Sequence, residues 1–113
     1  MRILFDLGHP AHVHYFKNLI RLLKKNGNQV LIVAREKDVT QRLLKNYGIP
    51  YLSRGKGSKT LLGKFFYLFK ANQRLYKYSI IFQPDLFISF ASPYAAQIAS
   101  YFNKPHIAFT DTE

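Results

Sequence analysis

His9, His12 and His14 fall within six positions of one another, in the stretch LGHPAHVH that begins at Leu7. Imidazole titrates near neutral pH, so such a cluster can supply a general base, a hydrogen-bond donor to phosphate or a metal ligand. Spacing narrows the choice. Residues two apart on a helix point away from each other, which argues against a metal pair of His12 and His14. His9, in the loop ahead of the helix, is the catalytic candidate. Gly8 and His12 are candidate substrate contacts, and His14 is expected to pack.

Three further loops could carry chemistry. Residues 54–60 read RGKGSKT, a basic, glycine-containing loop in which Lys56 and Ser58 could close over phosphate or a glycan; a plain solvated loop is an equal reading. It is not a P-loop, because Gly63-Lys64 is followed by Phe65, and Ser58 stands where the first glycine is required. Residues 89–96 read SFASPYAA, whose small side chains let a ligand approach the backbone closely. Ser92 there can cap a helix and still face a crevice, with Tyr94 beside it. The last residues, TDTE, place Asp111 and Glu113 together in a chain with only 6 acids. Such a pair marks a site or caps a helix. Around strand 1 only Gly8 is present where G-x-G-x-x-G is needed, so a tightly bound NAD or FAD is disfavoured. There is no cysteine and no convincing metal cluster, so the expectation is no metal and no resident cofactor.

The elements that must position these loops alternate between two periodicities. Apolar runs at Arg2–Leu7, Gln29–Ala34, 51–53, 86–90 and 106–109 read as buried strands. Helical spacing fits residues 12–26, Asp38–Asn46, 60–82 and 92–102, with Gly27, Gly48 and Pro84 as punctuation. Continuous apolar strands, each followed by a helix, predict an α/β, Rossmann-like, doubly wound parallel sheet of about five strands. Right-handed crossovers favour the order 3-2-1-4-5. Ligands of such sheets bind beyond the carboxyl ends of the strands, at the switch point between strands 1 and 4. The His9 loop leaves strand 1 there and opens a helix whose free N–H groups should favour an anion.

The 113 residues suffice for one domain, and the 48% hydrophobic content excludes a disordered chain. The N-terminal apolar run is short and interrupted by Asp6, so no secretory leader is expected. No apolar stretch approaches the roughly 20 residues that span a bilayer. A cytoplasmic protein is expected, with the inner face of a membrane as an alternative place. Lys and Arg number 17 against those 6 acids, a net charge of +11 that concentrates anions of any kind. In the long helix Leu62, Phe65, Phe66, Phe69, Tyr76 and Ile80 form a stripe that the sheet can bury, widened by Leu61, Tyr67, Leu68 and Leu75. Lys64, Lys70, Arg74 and Lys77 ring it. Ordinary core, a partner surface and an interfacial membrane helix all fit that pattern.

The motifs D-L-x-x-P-A-H-V-H-x-F-K at 6–17, S-x-x-S-P-Y-A-A at 89–96 and F-T-D-T-E at 109–113 resemble those of a family of predicted glycosyltransferases catalogued as a domain of unknown function. That family is similar to the GT-B enzymes and to UDP-N-acetylglucosamine 2-epimerase. The resemblance covers essentially the whole chain and implies two Rossmann-like domains facing a cleft. Residues 1–113 would form the N-terminal, acceptor-side domain. A C-terminal nucleotide-sugar domain would be absent, leaving the chain inactive alone. The implied substrates are a UDP-linked sugar and a glycan or lipid-linked acceptor. His9, His12 and Ser92 would line the acceptor side, His9 deprotonating the acceptor hydroxyl, and Asp111 and Glu113 fall where relatives place acidic site residues. A UDP-sugar 2-epimerase is the alternative. A basic module for membranes or nucleic acid ranks last, since no nucleic-acid motif is present.

Overall fold

The computed structural model describes residues 1–36, 38–56, 60–90 and 92–109. The chain folds as β1 (Arg2–Leu7), α1 (Pro10–Lys25), β2 (Gln29–Ala34), α2 (Asp38–Asn46), β3 (Leu52–Ser53), α3 (Leu61–Phe82), β4 (Leu86–Ser89), α4 (Pro93–Tyr101) and β5 (His106–Ala108). All pairings are parallel and the sheet order is β3-β2-β1-β4-β5. The expected Rossmann-like architecture and strand order are therefore those observed.

The pleat sorts β1 between two layers. Ile3, Phe5 and Leu7 pack with Val13, Phe16 and Ile20 of α1 and Leu44 of α2. Leu4 faces the other way, into a smaller cluster with Val33, Leu75, Phe87, Ile98 and Ala99 beneath α3 and α4. Asp6 shares the face of Leu4 by the same alternation. The sheet's pleat thus sends one carboxylate toward α3 and α4, at the ligand edge.

Helix ends differ slightly from expectation. α1 begins at Pro10, two residues early, because His9 caps it. α3 stops where Gln83 enters the left-handed region at φ 54 and its N–H bonds the Ser79 carbonyl, ahead of Pro84. The larger correction concerns the buried side of α3. Leu62, Phe65, Phe66, Phe69 and Ile80 lie in solvent. The buried side is instead Ala71, Leu75 and Ser79. Small residues let the helix approach closely, and the Ser79 hydroxyl is satisfied by the Leu75 carbonyl at 2.7 Å. No described helix is long and apolar enough to cross a membrane.

Candidate active-site cleft

Asp6 is fully buried, and a carboxylate there is costly unless it is paired and hydrogen-bonded. Its partner arrives from just beyond β3. Arg54 Nε lies 2.6 Å from Asp6 Oδ1, with the arginine side chain only 4% exposed. The other oxygen, Oδ2, accepts from the Ser92 hydroxyl. Ser92 is also the N-cap of α4, its Oγ accepting from the Ala95 N–H at 3.2 Å. One carboxylate therefore ties β1, the loop after β3 and the start of α4 together.

Arg54 is held from its other sides as well. Its Nη1 donates to the Tyr67 hydroxyl of α3, and the Tyr94 ring lies 4.5 Å from the guanidinium carbon. Burial raises the Tyr67 phenol above its ordinary pKa, an effect the Arg54 charge opposes. The phenol stays protonated and accepts from the arginine. A Cβ on Gly8 would stand 3.0 Å from Arg54 Nη2, so the glycine is what admits the guanidinium against the first loop. Arg35 also lies near Tyr67, its guanidinium carbon 5.5 Å from the ring centroid, and its buried Nε has no hydrogen-bond partner among the described residues.

Above this floor lies a cleft of about 190 Å³ at the switch point, its walls including Gly8, His9, His12, Ser92, Tyr94 and Phe90. The two histidines are oriented by backbone donors. His9 Nδ1 accepts from the Ala11 N–H at 3.1 Å, and His12 Nδ1 accepts from the Gly8 N–H at 3.1 Å. An N–H can only donate, so both Nδ1 atoms are unprotonated and the neutral rings carry hydrogen on Nε2. His12 also stacks on Phe90 with centroids 4.7 Å apart. These caps overturn the expectation of free helix amides. Pro10 has no N–H, Ala11 is engaged by His9, and the His12 N–H bonds the His9 carbonyl. At this edge side chains and the helix dipole, rather than free amides of α1, are what an anion would meet.

A second polar chain flanks the cleft. The buried Ser89 hydroxyl accepts from the Ser92 N–H and lies 2.6 Å from His106 Nε2. Burial pushes His106 below the usual histidine pKa, and the Asp6 charge partly offsets it.

Gly8, His9, His12, Ser92 and Tyr94 thus converge on one cleft. Lys56 does not line it; it is exposed and borders a neighbouring groove of about 400 Å³ with Glu36, Lys70 and Arg74. Ser58, Asp111 and Glu113 lie outside the described residues. His14 instead meets Tyr47, whose hydroxyl is 3.1 Å from its Nδ1. Asp6, Arg54, Arg35, Tyr67 and Phe90 are the cleft residues to which the sequence assigned no site role. One signal was available: after Arg2 opens β1, Asp6 is the only charge in the apolar run that follows, and a buried charge demands a partner. Among the described residues no group of three or more His, Cys, Asp or Glu side chains could hold a metal ion.

A parallel sheet in this order is a Rossmann-like fold, and solved glycosyltransferases and UDP-GlcNAc 2-epimerases contain domains of the same fold. The chain belongs to the DUF354 family, described as proteins of unknown function, whose sequence profile matches residues 1–113. No curated protein gives a significant sequence match. Among solved structures, Neisseria meningitidis UDP-GlcNAc 2-epimerase bound to UDP-GlcNAc is similar at TM-score 0.74 and 15% identity, over 94% of this chain and 31% of that one. MurG of Acinetobacter baumannii gives 0.75 and 19%, over 97% and 35%. The Streptomyces sp. SF2575 glycosyltransferase SsfS6 gives 0.73 and 16%, over 97% and 39%. The chain therefore spans about a third of these proteins.

Proposed function

We propose that residues 1–113 form the acceptor-side domain of a GT-B-like glycosyltransferase that uses a nucleotide-sugar donor, UDP-linked, and a glycan or lipid-linked acceptor. The observation that carries this reading is Arg54, anchored from below by Asp6 and admitted by Gly8 to a cleft that His9 and His12 also line. With Arg35 beside it, the cleft is suited to an anionic group such as a phosphate. Gly8, His12, Ser92 and Tyr94 serve as contacts to the bound substrate, and Lys56 adds a cation in the neighbouring groove. In transfer, an acceptor hydroxyl attacks the anomeric carbon, the nucleoside diphosphate leaves, and the hydroxyl proton passes to a base.

The cap on His9 bears on its role. Deprotonating a hydroxyl through Nε2 would require the other tautomer and would give up the Ala11 bond, a loss of about 1 kcal/mol. His9 is better placed to donate to the acceptor or its phosphate, leaving Asp111 or Glu113, next in sequence after β5, as candidate bases. By itself the chain should bind weakly and turn nothing over. Joined to a nucleotide-sugar domain it should transfer sugar, and His9→Ala should lower turnover at least tenfold. Unchanged turnover would remove His9 from the mechanism.

The likeness to the epimerases supports a second reading equally well at the level of fold. There Asp111 and Glu113 would do proton chemistry on the sugar itself. Incubating UDP-GlcNAc without an acceptor separates the two, since only an epimerase inverts the sugar under those conditions.

A further inference from the structure

The first half of α3 touches the body of the protein through Tyr67, but its large apolar side chains face solvent. From Leu61 to Lys70 no residue is buried. Leu61 is 87% exposed, Phe65 67%, Phe69 66% and Phe66 54%. The three phenylalanines alone expose on the order of 350 Å². Leu61, Leu62 and Leu68 carry the patch beyond what a monomer ordinarily leaves bare. Around the helix axis these side chains occupy one broad face, an arc of roughly 160°, with Lys64 and Lys70 at its two edges. A wide apolar face flanked by lysines, whose stems can carry their ammonium groups up to the headgroups, is the pattern of a helix that lies in a membrane interface.

Charge points to the kind of lipid. α3 has Lys64, Lys70, Arg74 and Lys77 and not one acidic residue. Glu36 is the acid that shares a groove with Lys70 and Arg74. We propose that this tip docks on an anionic bilayer surface. Leu61, Leu62, Phe65, Phe66 and Phe69 enter the headgroup–acyl boundary, and Lys64 and Lys70 pair with lipid phosphates. Tyr67 belongs to this tip and also bonds Arg54, so docking holds the cleft beside the membrane, where a lipid-linked acceptor would be met. The docking itself does not depend on the transferase reading.

The test is co-sedimentation of the 113-residue chain with vesicles of phosphatidylglycerol and phosphatidylcholine in equal parts, against phosphatidylcholine alone. Tight binding to the mixed vesicles, weakened by salt, is expected. The double variant Phe65→Ser/Phe69→Ser should bind at least tenfold more weakly with unchanged circular dichroism, because both rings are solvent-exposed. Lys64→Glu/Lys70→Glu should do the same. Absence of binding at low salt overturns the proposal. So does binding that survives loss of the phenylalanines, which would reduce it to charge attraction. A wild-type dimer that becomes monomeric in the phenylalanine variant assigns the tip to a second copy instead. None of these readouts involves sugar transfer, so the docking and the enzymatic reading can fail separately.

Discussion

Replacing Asp6 by leucine tests the architecture of the cleft most directly. The substitution leaves the Arg54 charge at 4% exposure without its carboxylate and strands the Ser92 hydroxyl. Breaking a buried ion pair from one side costs about 3–5 kcal/mol, and the lost Ser92 bond adds about 1 kcal/mol. A domain of this size has roughly 5–15 kcal/mol of stability in total. With a urea slope of about 2 kcal/mol per molar, the unfolding midpoint should fall by about 2–3 M. The double variant Asp6→Leu/Arg54→Met should regain most of that loss, because apolar groups of similar volume replace a buried pair without leaving a bare charge. The same double variant should no longer bind inorganic pyrophosphate, which the wild-type chain is expected to take up in the cleft. Urea unfolding of all four members of the cycle, with a pyrophosphate titration of the folded ones, decides the matter. A single-variant loss under about 1 kcal/mol, or a double variant no better than the sum of the singles, would refute the reasoning.

Two other expectations follow from the same geometry. Gly8→Ala places a methyl 3.0 Å from Arg54 Nη2, and Asp6 and Tyr67 restrict how far that side chain can yield. It should cost roughly 1 kcal/mol in urea unfolding and weaken pyrophosphate binding at least tenfold by calorimetry; unchanged binding would remove Arg54 from the site. His106 titrates low in the folded chain because burial disfavours its cation. The unfolded chain therefore takes up the proton first as pH falls. The neutral ring's contribution is full above the unfolded value of about 6.5 and is lost as pH falls through the folded pKa. Thermal melts from pH 7.5 downward should show this, and His106→Gln should flatten the profile over that window; an NMR titration midpoint at or above about 6.5 would contradict it.

The cleft was partly legible in the sequence. Gly8, His9, His12, Ser92 and Tyr94 all sit in loops that the strand order carries to one edge, so a topological rule sufficed to gather them. The chemistry beneath them was not legible. Asp6 and Arg54 are far apart in the chain, and Arg54 read as the first residue of a solvated basic loop. His9 looked like a base from its position, but a backbone N–H two residues on decides which nitrogen carries the proton. In α3 the apolar spacing announced a helix with more hydrophobic surface than one sheet face needs. It could not say that the sheet would accept Ala71 and Ser79 and leave the phenylalanines outside.

What the sequence determined by itself was the alternation of strands and helices, and with it the parallel sheet and its switch point. Period and punctuation are local properties, and handedness does the rest. Tertiary structure alone decided which charge pairs with which, which tautomer a ring adopts and which side of a helix is buried. Those outcomes depend on distances between segments remote in the chain and on how closely two surfaces can approach. The same packing that buries Arg54 against Asp6 gives the histidine-bearing loop its floor.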